Sequence, residues 1–393
     1  MNFRLENKVV NSFAQCASGP DDDATDNGHY VFEIERTLDG SSFVSSMSDK
    51  TLTLSNAEDL RTIGKVKAHG GSDFDTINRI ECSKVSPHLI VSAADDKTVR
   101  GWDTRCFERP VFNIQHSEAV SAVSVGLNGS LLASSCESTV FFHDVRFFGS
   151  GSSGTPGLLG SYLDAHSDTI TQLKFHPTQS HILASASEDH LICTFDTAIT
   201  AMEDSVVSTF NTESPVARFN YFGENHDAIY ALSGNETLSF WHHPSAQRVA
   251  EFTNIREGLG VDYLVDCFGP ANSNDIYLLA GTFDGKGVVA QMLPTGFNKL
   301  GSVEGGHTAQ IRCSSAAFAV TAEGAPAVRL TTGGEDARLC KWTTAPSTVP
   351  SSFHPTQAHS SGALSSGHRA QGAPKSGGNM KVKKDNSLRS KPY

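Results

Sequence analysis

Histidine, a hydroxyl residue and aspartate fall together at two places in this chain: His69, Ser92 and Asp96, and again His307, Thr332 and Asp336. A hydroxyl beside an imidazole that a carboxylate orients is the arrangement that nucleophilic acyl transfer requires. Three features of the sequence argue against that chemistry here. The set recurs, with a third copy at His166, Ser185 and Asp189. An indole stands at a fixed distance from the aspartate in the first two copies, Trp102 six residues after Asp96 and Trp342 six after Asp336. Neither hydroxyl sits in a G-x-S-x-G elbow or beside a glycine-rich oxyanion loop. The residues favour a structural reading, in which Asp, His, Ser or Thr and Trp form a hydrogen-bond chain tying an entry loop and a hairpin turn to a strand. Buried donors need partners, and a satisfied network rigidifies what it joins. No catalytic residue is expected.

Metal and cofactor chemistry fare no better. Of the sixteen histidines, His69, His116, His166, His176 and His307 stand at repeat entries or turns. His242 and His243 are adjacent at a strand end, so their side chains diverge. No HxxxH, HExxH or Cys/His cluster appears, nor a phosphate-binding GxxxxGK[ST] loop. The eight cysteines, at 16, 82, 106, 136, 193, 267, 313 and 340, form no CxxC pair and read as reduced core residues. No metal site and no cofactor are expected.

The elements that must carry these residues follow from one stretch, HLIVSAADDKTVRGWDT (His88–Thr104). Apolar alternation, a tight polar turn and apolar alternation again predict a β-hairpin. The same ruler finds turn residues at 49, 96, 137, 189, 235, 284 and 336, spaced by 47, 41, 52, 46, 49 and 52 residues. Seven self-similar hairpins at that period predict an array of four-stranded units, one blade per repeat. The copies decay: Phe195 replaces the indole in the fourth, and Ser55 and Ala290 replace it in the first and sixth. Repeats two, four and seven are therefore expected to be the stiffest, five and six the softest.

The Trp-Asp ending at Trp102-Asp103 and the entries Ala68-His69, Ala165-His166 and Gly306-His307 resemble the WD40 repeat family. Within that family the stretches His166–Pro177, Gly258–Phe268 and Gly305–Trp342 are similar to the WD repeat-containing protein 89 subfamily, the resemblance covering residues 8 to 343. It implies an all-β, seven-bladed propeller. It also implies that the residue before each turn residue faces the surface where partners bind: Ser48, Asp95, Cys136, Glu188, Gly234, Phe283 and Glu335. Three of these are carboxylates and one is an exposed-looking phenylalanine. Asp95, Glu188, Phe283 and Glu335 are therefore the candidate partner-binding residues, an acidic face for a Lys- or Arg-containing peptide with Phe283 as an apolar anchor. The bland reading is ordinary solvated turn chemistry.

The propeller is expected to fill residues 1–345, with repeats from 28 and a strand at about 8–16 supplying the fourth strand of the last blade. The Gly/Ser-rich run from Phe147 to Gly160 reads as an exposed mobile loop. Residues 346–393, rich in Ser, Gly and Pro, read as a disordered tail. From Pro350 onward the chain carries +6, leaving −18 for residues 1–349 out of a net −12. An acidic body is ill suited to clamping nucleic acid, whereas the basic end Lys381–Tyr393 suits nuclear targeting or a weak RNA contact. No apolar run reaches the about eighteen residues of a membrane helix, and the N-terminus reads as no secretory signal, so the expected setting is cytoplasm or nucleus.

These observations favour a non-enzymatic scaffold or adaptor that binds proteins or peptides on the propeller faces, with no membrane partner and no small-molecule substrate. A nuclear ribonucleoprotein or chromatin factor touching nucleic acid through its tail is the alternative. A propeller hydrolase ranks below both, because no set of channel-facing carboxylates is legible beyond the turn residues.

Overall fold

Alternation of apolar and polar residues dictates strands throughout, and the computed structural model arranges them in seven four-stranded antiparallel sheets. It describes residues 3–10, 29–72, 75–147, 157–320 and 326–344. In blade two, the hairpin of Leu89–Ala94 and Thr98–Asp103 pairs Ile90 with Trp102 and Ala93 with Val99. Ile77–Cys82 lies on its inner side and Phe112–Gln115 on its outer side. The other six blades repeat the scheme. Their inner strands are Val31–Arg36, Ala122–Val125, Ile170–Phe175, Val216–Phe222, Tyr263–Phe268 and Ile311–Val320.

Each sheet is apolar on both faces, so no blade can bury its own surface alone. Seven apolar clusters sit between successive blades, and one of them joins blade seven to blade one through Val31, Ile34, Cys313 and Leu339. The sheets therefore close into a ring around a central channel, an all-β seven-bladed propeller. Among the described residues no helix is long and apolar enough to cross a membrane.

The N-terminal strand completes blade seven. Phe3–Val10 pairs antiparallel with Arg338–Thr344, Phe3 opposite Thr344 and Val10 opposite Arg338. The strand begins five residues before the expected 8–16 and shares residues 8–10 with it; residues 11–28 fall outside the described residues. In FRLENKVV the alternate residues Arg4, Glu6 and Lys8 point outward, and that pattern belongs to an outer strand with one wet side. The blade is tied onward to blade one by Lys341, which is 4% exposed. Its ammonium donates to the Glu58 carbonyl at 2.8 Å and pairs with the carboxylates of Glu58 and Glu6 at 3.4 and 3.6 Å.

A second boundary also moves. Leu158–Gly160, assigned above to a loop, belong to the outer strand of blade three, Leu158–Tyr162, with Gly160 opposite Phe142. Residues 148–156 of that Gly/Ser-rich run, and the tail from residue 345, lie outside the described residues.

Candidate functional site

Three hydrogen-bonded sets mark one face of the ring, called here the upper face. In blade two, His69 on the entry loop places Nδ1 3.0 Å from Asp96 and Nε2 2.7 Å from the Ser92 hydroxyl. The Trp102 indole donates to the same hydroxyl at 2.9 Å. Blade seven repeats this with His307, Asp336 (3.0 Å), Thr332 (2.8 Å) and Trp342 (2.9 Å). Blade four has His166, Asp189 (2.9 Å) and Ser185 (2.6 Å), with Phe195 packed where the indole would stand. Gly306 precedes His307 because a Cβ there would come within 2.6 Å of the Trp342 ring. Burial pushes the Asp96 carboxyl up, but the hydrogen bonds from His69, Thr98 and the Gly70 N–H outweigh it and hold it well below the usual range. Ser92, Ser185 and Thr332 are fully buried, so no substrate carbonyl can reach their hydroxyls.

The four candidate partner-binding residues are spread around the upper face and differ in what they offer. Asp95 accepts hydrogen bonds from the Thr76 N–H, the Thr76 hydroxyl and the Asn78 amide, at 2.7 to 2.9 Å. Glu335 holds the Arg312 guanidinium at 2.6 Å. Glu188 is exposed. Phe283 is 62% exposed. Its ring leans on Tyr263 with centroids 5.9 Å apart, and its N–H donates to Asp262 at 2.9 Å. Tyr263 is itself fixed, since its hydroxyl accepts the Ile311 N–H of blade seven at 2.7 Å.

The structure adds residues that the turn pattern did not reveal. In six of the seven inner strands the register slips near the upper end, at Phe32, Asn78, Thr171, Ala217 and Arg312 after the first residue and at Val265 one step later. A bulge re-aims side chains, and it brings Arg312 over the rings of Tyr30 and Phe32, at 5.8 and 5.7 Å. Below the bulges, charged side chains fill the channel. Glu33 pairs with Arg79 at 3.2 Å, and Arg79 also donates to the Thr171 carbonyl of blade four at 3.0 Å. Arg218 pairs with Asp266 at 3.0 Å, and Asp266 accepts the Tyr230 hydroxyl at 2.8 Å. Glu81 lies 4.0 Å from Lys174 and accepts the Val125 N–H at 3.2 Å; burial raises its carboxyl pKa.

The expectation that no set of channel-facing carboxylates exists beyond the turn residues is thus corrected: Glu33, Glu35, Glu81 and Asp266 border the channel. Glu33, Glu81 and Asp266 are each engaged by a cation and by hydrogen-bond donors, whereas Glu35 has Lys84 at 3.9 Å. In blades one, two, four and five the signal was present as a charged or amide residue two and four places after the first apolar residue: Glu33 and Glu35, Arg79 and Glu81, Gln172 and Lys174, Arg218 and Asn220; Asp266 of blade six does not follow it. Among the described residues no group of three or more His, Cys, Asp or Glu is placed to hold a metal ion.

Comparison with known proteins agrees with this geometry. The family "WD domain, G-beta repeat" matches residues 157–196, the outer strand of blade three and the first three strands of blade four. The WD repeat-containing protein GTS1 of Arabidopsis thaliana is 29% identical over 334 residues, 80% of this chain and 81% of its own. A WD repeat-containing protein 89 homolog of Dictyostelium discoideum is 25% identical over 324 residues, 79% and 82% of the two chains. The chain is a WD40 β-propeller protein. The WD40 propeller is distantly homologous to the protein 89-like proteins over most of its length. Over a shorter stretch, 39% of the chain, it is 28% identical to a "Histone acetyltransferase type B subunit 2" of Debaryomyces hansenii. The matched repeat includes His166, Ser185 and Asp189, so the hydrogen-bonded set lies within the part that carries the family.

Proposed function

We propose that this WD40 propeller, residues 1–345, is a non-enzymatic scaffold of the protein 89-like subfamily whose upper face binds a partner peptide with Phe283 as anchor. The observation that carries the reading is Phe283, a large apolar ring 62% exposed, its N–H held by Asp262 and its ring leaning on Tyr263. Exposed aromatics on fixed backbone cost little side-chain entropy on binding and anchor interfaces. Glu188 and the acidic body favour a basic partner, Asp95 and Glu335 serving mainly to fix the turns. The seven described cysteines are all free thiols, which supports the cytoplasm or nucleus as the setting.

One observation favours a second reading. The partial relative named as a histone acetyltransferase subunit makes a histone-like basic segment a candidate ligand, with the basic end Lys381–Tyr393 as an accessory nucleic-acid contact. Affinity purification of tagged protein beside Phe283→Ala and beside a form lacking residues 350–393, at low and moderate salt, separates the two. The scaffold reading expects Phe283→Ala, with an unchanged melting curve, to lose about tenfold or more of its partner recovery, and the truncated form to keep it. Recovery untouched by Phe283→Ala removes Phe283 as the anchor. RNA or partners lost only with the tail favour the second reading.

A further inference from the structure

The inner strands start at the upper face and end at the lower one, where the channel widens into a cavity of about 270 Å³. It lies between the lower ends of blades five, six, seven and one, bordered by Glu35, Asn220, His226, Asp266, Ser314 and Ser315. At about 30 Å³ per water it holds roughly nine waters, enough for a long side chain. It sits at the end of the channel away from Phe283.

What borders the cavity is rich in acceptors. Asp266 is saturated by Arg218 and the Tyr230 hydroxyl. Glu35 is not: its ion-pair partner is Lys84 at 3.9 Å. The His226 ring also borders the cavity, and its burial lowers its pKa. Ser314 and Ser315 add two hydroxyls. Two of the loops rimming the mouth, residues 223–227 and 269–275, contain Glu224, Asp227 and Asp275 and no lysine or arginine.

We infer that this lower mouth is a binding site for an arginine side chain presented by a protein partner, with Glu35 as its counter-ion. A guanidinium carries five N–H donors in a plane and no acceptor, which complements a carboxylate and two hydroxyls. The acidic rim supplies matching charge and steers a cation to the mouth. A carboxylate ligand would meet Glu35 and the rim, and an apolar one would strand the polar groups without partners.

The probe is Nα-acetyl-arginine methylamide titrated into the full chain, followed by calorimetry and by thermal stabilisation. The comparison compound is the citrulline derivative, equal in shape and without the charge. Saturable binding of the arginine compound is expected, at least about tenfold stronger than that of the citrulline compound, and reduced about tenfold by Glu35→Gln. Ser315→Leu, which fills the cavity, is expected to abolish it, and Phe283→Ala to leave it unchanged. Equal binding of the two compounds overturns the inference, as does binding that survives Glu35→Gln. Should Ser315→Leu fail to fold, the citrulline comparison and Glu35→Gln still decide. Loss in Phe283→Ala alone would place the arginine on the upper face, overturning this site while supporting that one.

Discussion

At the scale of single residues, the chain contains its own substitution experiment. Blades two and seven place an indole against the buried hydroxyl, and blade four places Phe195 at the same repeat position. In blade two the Ser92 hydroxyl has a neighbour on each side, the His69 Nε2 and the Trp102 N–H. Trp102→Phe removes one and leaves a buried acceptor unmet. Because the lost bond is neutral, the expected cost is about 1–2 kcal/mol, read as a lower urea midpoint with an unchanged slope. Ser92→Ala should cost a similar amount, and the pair of changes should sum to less than the two separately, because both break the same bond. Full additivity would show that the indole acts through packing alone. The same logic explains blade five, where Trp241 has turned to donate to Ser239 on its own strand at 2.8 Å. Ala231 stands where blade two has Ser92, so the indole N–H takes the nearest remaining hydroxyl.

At the scale of elements, the hairpins were legible and their flanks were not. The turn residue and the aromatic six places later are local, so the sequence reveals them at Asp96 and Trp102 and at Asp336 and Trp342. The closing strand is a long-range feature. Its pairing partner, Arg338–Thr344, lies more than three hundred residues away, and its alternating charges disguise Phe3, Leu5 and Val9 as a polar segment. The channel charges escaped for a related reason: the bulges at Phe32 and Arg312 set the phase of the residues that follow, and a bulge leaves no clear mark in the sequence. Deleting residues 1–10 tests the closing strand as an element. It uncovers the free edge of Arg338–Thr344 and strips Phe3, Leu5, Val9 and Val10 from the clusters on either side. At about 1 kcal/mol for each half-buried side chain the loss is roughly 4 kcal/mol, and the bare edge invites pairing between molecules. A lower melting temperature with concentration-dependent association in sedimentation is expected. A monomer with the full-length melting curve would mean that the strand merely decorates a ring closed without it.

At the scale of the whole molecule, acid sensitivity is distributed unevenly around the ring. Burial lowers His116, His143 and His176 to about 4, and His166, His226 and His243 are lowered as well, all of them in blades three to five. An unfolded histidine titrates near pH 6.5. Between about 6.5 and about 4 the unfolded chain therefore binds protons that the folded chain refuses, so stability is complete above 6.5 and falls with pH through that window. Asp96, Asp189 and Asp336 act lower. Their folded pKa values lie below the ordinary carboxylate value near 3.9, so their contribution is lost only as pH falls past it. The first acid loss should thus belong to the histidines, and His143 isolates one of them. It stands at the repeat position that blade four fills with Phe195, its Nδ1 is buried without a partner, and it lies edge-on to His116 at 5.4 Å. His143→Phe keeps an aromatic ring and removes the proton acceptor. Its melting temperature should fall less between pH 6.5 and 4.5 than that of the unaltered chain, with little difference above pH 7. An identical fall would assign the acid loss to other groups, the His176 and His243 pair between blades four and five being next in line.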